Sequence, residues 1–469
     1  MNLSTPAAQP AGSITVPLAA ARVILKPRKA LPFYGRHPWV LASAVERVEP
    51  TSIAGEHLLE IDGAVVDLVN DRGKFIARGF YNGQSRIRVR LLTWNAEEAL
   101  DEALFRRRIA AAIELRRRIG YQVPTVVSQH VIAENDKQEE SASGVESKAS
   151  LSTEYSVLST QHSHISNHNP PSDTAARLIF SEADGLSGLV VDRYGDYLVV
   201  QPTSLAMAQR LELIVAILHE LLQPRAVVLR AEKSMAQLEG VEIAEGHVWG
   251  ELQGGPIAIR EHGLIYEVDL HSGQKTGFYL DQRENRRAAA SYLQGRRVLD
   301  MFCYTGGFAM AASKLGGARE VLGIDSSKRA IAQAQRNAEL NGLTNITYDV
   351  GDGFQTLDAL IDRGERFEAV ILDPPKFARG KSGVNAALMA YHRLNRAAVE
   401  LLQPGGILVT CSCTGSVSRE DFLLMLSGVA QKSGRDLRVL EQRGAAADHP
   451  VSATCLETEY LKCLICEVG

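Results

Sequence analysis

Two rhythms of apolar and polar positions divide this chain. The early runs Val65-Val-Asp-Leu-Val69, Phe75-Ile-Ala-Arg-Gly79 and Ile87-Arg-Val-Arg-Leu91 are short, alternate in strand fashion and are punctuated by glycine, which predicts a small β-rich barrel over residues 21–95. Residues 1–20 precede it as a flexible leader. From Glu97 to Ile119 the spacing becomes helical, with Leu100, Leu104, Ile109, Ile113 and Ile119 on one face. Between Pro124 and Asp173 the composition collapses into Ser, Thr, Asn, Gln, His and Glu without a sustained period, which predicts a disordered insertion at 121–174. A helix immediately precedes it, so the insertion interrupts a central α+β module spanning 96–270. That module resumes at Arg177-Leu-Ile-Phe180, with two strands joined at Tyr194-Gly-Asp196, a helix Ser204–Leu222 and a strand Ala226–Arg230.

After Leu270 strands and helices alternate, with strands at 297–301, 320–325, 346–349, 368–372 and 406–412. This predicts an open, mostly parallel α/β sheet over 271–469. Leu437–Glu441 and Tyr460–Glu467 read as a closing hairpin with a long connection, so one strand runs antiparallel to the rest.

The joints of this last region carry candidate chemistry. Val298-Leu-Asp-Met-Phe302 empties into Cys303-Tyr-Thr-Gly-Gly-Phe308 and then a helix, and such a turn lets backbone approach a ligand closely. Asp325 follows Gly306 by about 20 residues, the spacing at which an acidic residue ending the next strand binds ribose hydroxyls. The third glycine of a dinucleotide fingerprint is missing, so no pyrophosphate need be cradled, and S-adenosylmethionine is the better match. Asp373 ends a further strand and is stiffened by Pro374 and Pro375, which holds a carboxylate at the carboxyl edge of the sheet, where ligands bind.

Composition narrows the setting. The 469 residues, 45% hydrophobic, suffice for two to four domains with ordinary cores. Met1–Ala20 lacks a basic region followed by an apolar run, and no later segment is apolar for long enough to cross a bilayer, which predicts a cytoplasmic location. The six cysteines lie between Cys303 and Cys466 without disulfide-scaffold spacing, so reduced thiols are expected. A net charge of −4 excludes gross capture of nucleic acid. Local patches read otherwise: Lys26, Arg28, Lys29, Arg36 and His37 near the start, Arg86, Arg88 and Arg90 along one strand face, and Arg106–Arg108 with Arg116–Arg118 on one helix. Any one cluster reads as solvated surface, and three together point to an RNA- or DNA-facing end. His162, His164 and His168 sit in the polar insertion with no cysteine beside them, and no metal is expected.

Cys413 closes Thr410-Cys-Ser-Cys413 at the mouth of the strand after Asp373, so the two should face one cleft. Carbon 5 of a pyrimidine is not nucleophilic until something adds to carbon 6, and a thiolate can add there covalently. Cys411 lies inside the strand and reads as packing. A metal set of Cys411, Cys413, Cys463 and Cys466 is only weakly permitted by spacing. Methylation of an exocyclic amine commonly places an aromatic residue after Pro-Pro; here Lys376 stands there and Phe377 follows.

Further segments complete the pattern: Ser181-Glu-Ala-Asp-Gly-Leu-Ser-Gly-Leu189, Val191-Asp-Arg-Tyr-Gly-Asp196, Gln274-Lys-Thr-Gly-Phe-Tyr-Leu-Asp-Gln-Arg283, Ser412-Cys-Thr-Gly415 and Ala447-Asp-His-Pro450. With them the chain resembles bacterial large-subunit (23S) ribosomal RNA cytosine-5 methyltransferases of the RlmI type, over nearly all of its length except the leader and the insertion. The resemblance implies an N-terminal PUA domain that binds RNA, a central α+β domain and a C-terminal Rossmann-like class I methyltransferase domain. It implies S-adenosylmethionine as cofactor, and 23S ribosomal RNA or a pre-ribosomal particle as partner. By it Cys413 is the nucleophile, and Asp373 removes a proton or positions the base. Asp325 takes the ribose, Asp352 and Gly353 the adenine, and the segment Lys275, Asp281, Gln282, Arg283 the methionine end. Asp300, Phe302, Thr305, Gly306 and Leu372 complete the cofactor set, although Asp300 also reads as orienting the Gly306 turn and Phe302 as core. Lys26, Arg28, Lys29, Arg36, Arg86 and Arg88 are the RNA-binding candidates. Relatives that methylate guanine share Asp-Pro-Pro but lack the cysteine, so the target base hangs on Cys413. Guanine or adenine methylation, and a non-catalytic ribosome-assembly factor, stay open, as does oligomeric state, a homodimer included.

Overall fold

Alternation at the start of the chain produces a six-stranded sheet in the computed structural model, which describes residues 19–51, 61–124, 173–231, 237–241, 246–270, 277–378 and 380–469. The leader up to residue 18, the insertion from 125 to 172 with its histidines, and Lys275 lie outside the described residues. The six strands are β1 (Ala21–Leu25), β2 (Trp39–Leu41), β3 (Val45–Pro50), β4 (Val65–Val69), β5 (Phe75–Tyr81) and β6 (Ile87–Thr93), ordered β2-β6-β5-β4-β1-β3. Every second residue, among them Val23, Leu25, Val66, Leu68, Val89 and Leu91, enters one buried cluster.

The helix expected from 97 runs from Glu102 to Arg118. Asp101 decides where it starts, because its carboxylate accepts the Leu104 N–H at 3.0 Å. Ile119, expected on the apolar face, is instead the C-cap and 42% exposed. Leu104, Phe105, Ile109 and Ile113 pack on the second sheet, formed by β7 (Ala175–Phe180), β8 (Leu189–Tyr194), β9 (Tyr197–Pro202), β10 (Ala226–Leu229) and β11 (Val248–Gly250). β8 and β9 form the expected hairpin, with Tyr194 opposite Tyr197. The helix expected over Ser204–Leu222 is broken at Gln209–Arg210 into Leu205–Ala208 and Leu211–Leu222, with Ser204 capping the first piece. A hairpin of β12 (Ile257–Glu261) and β13 (Leu264–Val268) leads on to the last sheet.

That sheet holds β14 (Arg297–Met301), β15 (Glu320–Asp325), β16 (Ile346–Val350), β17 (Phe367–Leu372), β18 (Leu402–Ser412), β19 (Leu437–Arg443) and β20 (Lys462–Val468), ordered β16-β15-β14-β17-β18-β20-β19. β14 to β18 pair in parallel, while β20 is antiparallel to both β18 and β19, as the closing hairpin predicted. Helices Gly307–Lys314 and Lys328–Leu340 cover one face and Val384–Leu401 and Arg419–Ser433 the other, each burying its own apolar cluster. Chain order reverses between β14 and β17, so the crevice outside their carboxyl ends is the expected ligand site.

Buried charge joins these layers and corrects part of the basic-patch reading. Arg90, 5% exposed, is not on the surface: it pairs with Glu239 at 2.9 Å and Glu182 at 3.3 Å, tying the first sheet to the second. Arg116, fully buried, pairs with Asp184 at 2.5 Å and donates to the Asp448 carbonyl at 2.8 Å, and Arg108 donates to the Gly185 and Leu92 carbonyls. No described helix is long and apolar enough to cross a membrane. Removing one partner of a buried pair strands the other charge at a cost of about 3–5 kcal/mol. Arg90→Ala is therefore expected to lower unfolding free energy in urea by that order, and a loss under about 1 kcal/mol would contradict this assignment.

Candidate active site

At the carboxyl ends of β14, β15 and β17 a cleft of about 800 Å³ opens, lined by residues that include Tyr279, Asp281, Gln282, Phe302, Tyr304, Thr305, Asp325, Asp352, Gly353, Phe354, Asp373, Phe377, Cys413 and Tyr460. Its floor is the turn after β14. Gly306 has φ 87°, and a Cβ there would come within 2.5 Å of the Tyr348 hydroxyl. Phe302 and Tyr304 also have positive φ, 65° and 51°, so the turn is strained at non-glycine positions as well. Asp325 holds it from β15: one carboxylate oxygen accepts the Tyr304 N–H at 3.0 Å, the other the Ser327 N–H at 2.9 Å. Each oxygen keeps a lone pair for a sugar hydroxyl. A Cβ on Gly353 would lie 2.3 Å from the Phe302 ring, so the ring rests on bare backbone. The residues thus fit an adenosine: a carboxylate at a strand end, a glycine cradle and an aromatic ring beside it.

Some of the other expected cofactor residues sit elsewhere, and others line the cleft. Leu372 is fully buried in the core beneath the sheet and does not line the cleft. Arg283, 1% exposed, points away to the second sheet, where it donates to the Ala175 carbonyl, lies 3.6 Å from Asp448 and stacks over Tyr121. Asp300, fully buried, takes its alternative role and accepts the Ala309 N–H at 2.8 Å, fixing the first turn of the helix after Gly306. Burial, with the charges of Asp373 and Asp325 nearby, pushes its carboxyl well above the usual range. Asp352 caps the helix Gly353–Asp362 through the Phe354 and Gln355 N–H groups at 3.1 Å, so one of its oxygens is already engaged. Thr305 lines the cleft and its carbonyl is held by Asn337 at 3.0 Å.

Beyond the glycine turn the cleft reaches the proposed reacting groups. Cys413 is half-buried, and its thiol lies 3.9 Å from the Pro374 carbonyl. Gln282 donates to Asp373 at 2.9 Å, and Asn285, itself held by Arg443, donates to the Gln282 carbonyl oxygen at 2.6 Å. Asn285 thereby fixes which way the Gln282 amide faces. Asp281 accepts the Tyr460 hydroxyl across the same mouth. Periodicity did not single out Tyr279, Tyr304, Tyr460 or Tyr391, because their roles follow from distant segments meeting. Tyr279 meets Tyr304 edge to face at 5.2 Å, and Tyr391 shares a hydrogen bond of 2.9 Å with Thr414, next to Cys413. Cys411 and Cys463 are buried opposite each other in β18 and β20, while Cys466 enters the core on the other face. Four cysteines on two faces of a sheet do not converge on one ion.

Of the RNA candidates, Lys26, Arg28, Lys29, Arg36 and Arg86 are exposed and Arg88 is half-buried against the Asn82 carbonyl. Near them His37, Cys455 and Glu457 meet. The Trp39 N–H donates to His37 Nδ1 at 3.2 Å, so Nε2 carries the proton toward Glu457 and has no lone pair for a metal.

Comparison with known proteins identifies the family and the fold. A family model described as S-adenosylmethionine-dependent methyltransferase matches residues 246–454, and one for a PUA-like domain matches 23–94. Ribosomal RNA large subunit methyltransferase I of Klebsiella pneumoniae strain 342 is 35% identical over 449 residues, covering 95% of this chain and 98% of the relative. The protein of that name from Aeromonas hydrophila is 36% identical over 433 residues, 92% and 95% of the two chains. The chain belongs to the ribosomal RNA large subunit methyltransferase I family. Its fold matches a solved candidate methyltransferase bound to S-adenosylhomocysteine, with TM-score 0.73 at 20% identity over 95% of this chain and 99% of that one. A candidate methyltransferase from Streptococcus mutans matches with TM-score 0.71 at 19% identity, with the same coverage. Membership makes S-adenosylmethionine the cofactor of this protein. Gly306 does not itself line the cleft but sets the turn that does, with Tyr348 against its bare Cα; Gly306→Ala is expected to disturb that turn and raise the dissociation constant for S-adenosylmethionine about tenfold or more by calorimetry, and unchanged affinity would refute a role for the turn in binding.

Proposed function

We propose that the protein forms 5-methylcytosine in large-subunit (23S) ribosomal RNA through a covalent adduct between Cys413 and carbon 6 of the target cytosine. The observation that carries this reading is the placement of a half-buried thiol and an amide-oriented carboxylate, Cys413 and Asp373, at neighbouring strand ends of one cofactor cleft. The names of the relatives support the RNA substrate. Exposed Lys26, Arg28, Lys29, Arg36 and Arg86 support RNA capture by residues 21–95, with 96–270 as a bridging module and 271–469 performing the chemistry. A ribosomal substrate implies a cytoplasmic location.

When bound, S-adenosylmethionine supplies an electrophilic methyl group on a sulfonium sulfur. Asp325 would hold its ribose, with Asp352, Gly353 and Phe302 around the adenine and Asp281 and Gln282 toward the methionine end. Cys413, as thiolate, adds to carbon 6, and the electron pair of the 5,6 double bond makes carbon 5 nucleophilic. Once carbon 5 carries the methyl group, Asp373 accepts the proton on that carbon. The carbon–sulfur bond then breaks and returns the thiolate to Cys413. Gln282 keeps the Asp373 carboxylate aimed, and the tyrosines at the mouth limit water.

Purified protein incubated with labelled S-adenosylmethionine and unmodified large-subunit RNA should place label in 5-methylcytidine. Cys413→Ala should reduce this on the order of a thousandfold or more while binding the cofactor normally. Label in a guanine or adenine nucleoside, or persisting in the variant, would replace this chemistry with base-amine or ring-nitrogen methylation.

A further inference from the structure

A chain of amides with one direction ends on Asp373. Gln282 closes the turn Leu280–Gln282, and Asn285 lies in the helix Arg283–Ala290, so the two side chains meet one helical turn apart. Both are buried, 2% and 1% exposed, where donors and acceptors have to be matched. Arg443, the last residue of β19, donates from Nε to Asn285 Oδ1 at 3.1 Å. A guanidinium cannot accept, so this end of the Asn285 amide is the oxygen. The other end donates from Nδ2 to the Gly444 carbonyl at 2.9 Å, and a carbonyl cannot donate. Asn285 is thereby held in one orientation, and its second Nδ2 proton goes to Gln282 Oε1 at 2.6 Å. Gln282 must then turn Nε2 toward Asp373, which it meets at 2.9 Å. Arg443 is itself held by Glu441 at 2.7 Å, and Glu441 accepts the Tyr292 hydroxyl at 2.8 Å.

Direction matters because a carboxyl group has two protonation states. An N–H facing Asp373 favours the carboxylate, which accepts; an amide oxygen in its place would favour the acid, which donates. The Cys411 thiol also touches the Gln282 amide, but a thiol both donates and accepts, so it leaves the direction to Asn285. Asp300 on β14, Tyr279, Tyr391 on the helix Val384–Leu401, Cys411 and Cys413 at the end of β18, and Lys376 beyond the prolines also face Asp373 or share its cleft. These groups are the same in the wild-type protein and in a variant whose amide is reversed, so the effect of direction can be read as a difference.

We infer that Asn285 is a positioning residue that keeps Asp373 a proton acceptor by fixing the direction of the Gln282 amide. The inference rests on the cytosine-5 chemistry proposed above. In the methylated adduct the bond from carbon 5 to hydrogen breaks and the proton passes to an Asp373 oxygen. The electron pair left behind restores the 5,6 double bond, and the carbon–sulfur pair leaves with Cys413. A protonated Asp373 cannot take that proton.

The test follows tritium released from large-subunit RNA labelled at carbon 5 of cytosine, using full-length protein and S-adenosylmethionine across a pH series. Asn285→Asp keeps an acceptor for Arg443 but has no proton for Gln282, so the Gln282 amide turns its oxygen to Asp373. Arg443→Met changes the net charge in the same sense and amount, while the Gly444 carbonyl still fixes Asn285. Asn285→Asp should move the acid limb of the release rate upward by about one pH unit, with release about tenfold slower below that limb and close to wild type above it. KM for RNA should change little, and RNA linked to Cys413 should accumulate on the acid side, because proton removal follows adduct formation. Arg443→Met should move the limb by no more than about a third of a unit. All variants should bind S-adenosylmethionine as a check on folding. Gln282→Met, which removes the N–H without adding charge, should move the limb in the same direction as Asn285→Asp and stands in for it if that variant does not fold. A loss of release that is equal at every pH, an equal shift in Arg443→Met, or an unmoved limb in Gln282→Met would overturn this inference alone. No tritium release by the wild-type protein would contradict the cytosine-5 reading, and this inference with it.

Discussion

Strand register in the last sheet is the constraint on which the site depends. Leu372 pairs with both Met301 and Thr410, so β14 and β17 end at one level and β18 runs two residues further to Ser412, which brings Phe302, Asp373 and Cys413 into one cleft. A slip of one residue would exchange the two faces of a strand, placing core residues in the cleft and site residues in the core. The buried clusters on both faces, with Val298, Ala369 and Val409 on one side and Leu299, Val370 and Leu408 on the other, oppose any such slip. The geometry of the cleft is thus fixed by ordinary packing.

Around that edge the protein manages an excess of negative charge. Asp300, Asp325 and Asp373 end or approach three neighbouring strands, and burial with the two other carboxylates nearby pushes the Asp300 carboxyl well above its usual range. Asp325 is ordered by two backbone N–H groups and Asp373 by an amide, so each carboxylate keeps one orientation. Into this setting β20 brings Lys462 from the antiparallel side. Because β20 runs antiparallel to β18, its first residue stands opposite Ser412, the last residue of β18.

Much of this was legible from local pattern. The parallel strands, the hairpin at Tyr194–Tyr197 and the closing strands follow from periodicity and turn residues, and Asp325, Gly306 and Cys413 follow from their places at strand ends. The errors share a cause. Arg90, Arg116 and Arg283 read as surface or ligand residues because sequence shows a charge without its partners, and Glu182, Glu239, Asp184 and Asp448 come from remote segments. Leu372 entered the cofactor set with the resemblance, but alternation along the strand turns it into the core. The break at Gln209–Arg210 and the late helix start at Asp101 were hidden by an apolar period that ran on through both caps.

The central claim is a covalent bond between Cys413 and the target base. Large-subunit RNA carrying 5-fluorocytosine at the modified position tests it most directly, because fluorine replaces the proton that must leave carbon 5 before the carbon–sulfur bond can break. With S-adenosylmethionine present, the protein should become stably linked to that RNA, and the attachment should map to Cys413 by peptide mass spectrometry. Methyl transfer to natural RNA with no trapped complex, or a link at any other residue, would contradict the account.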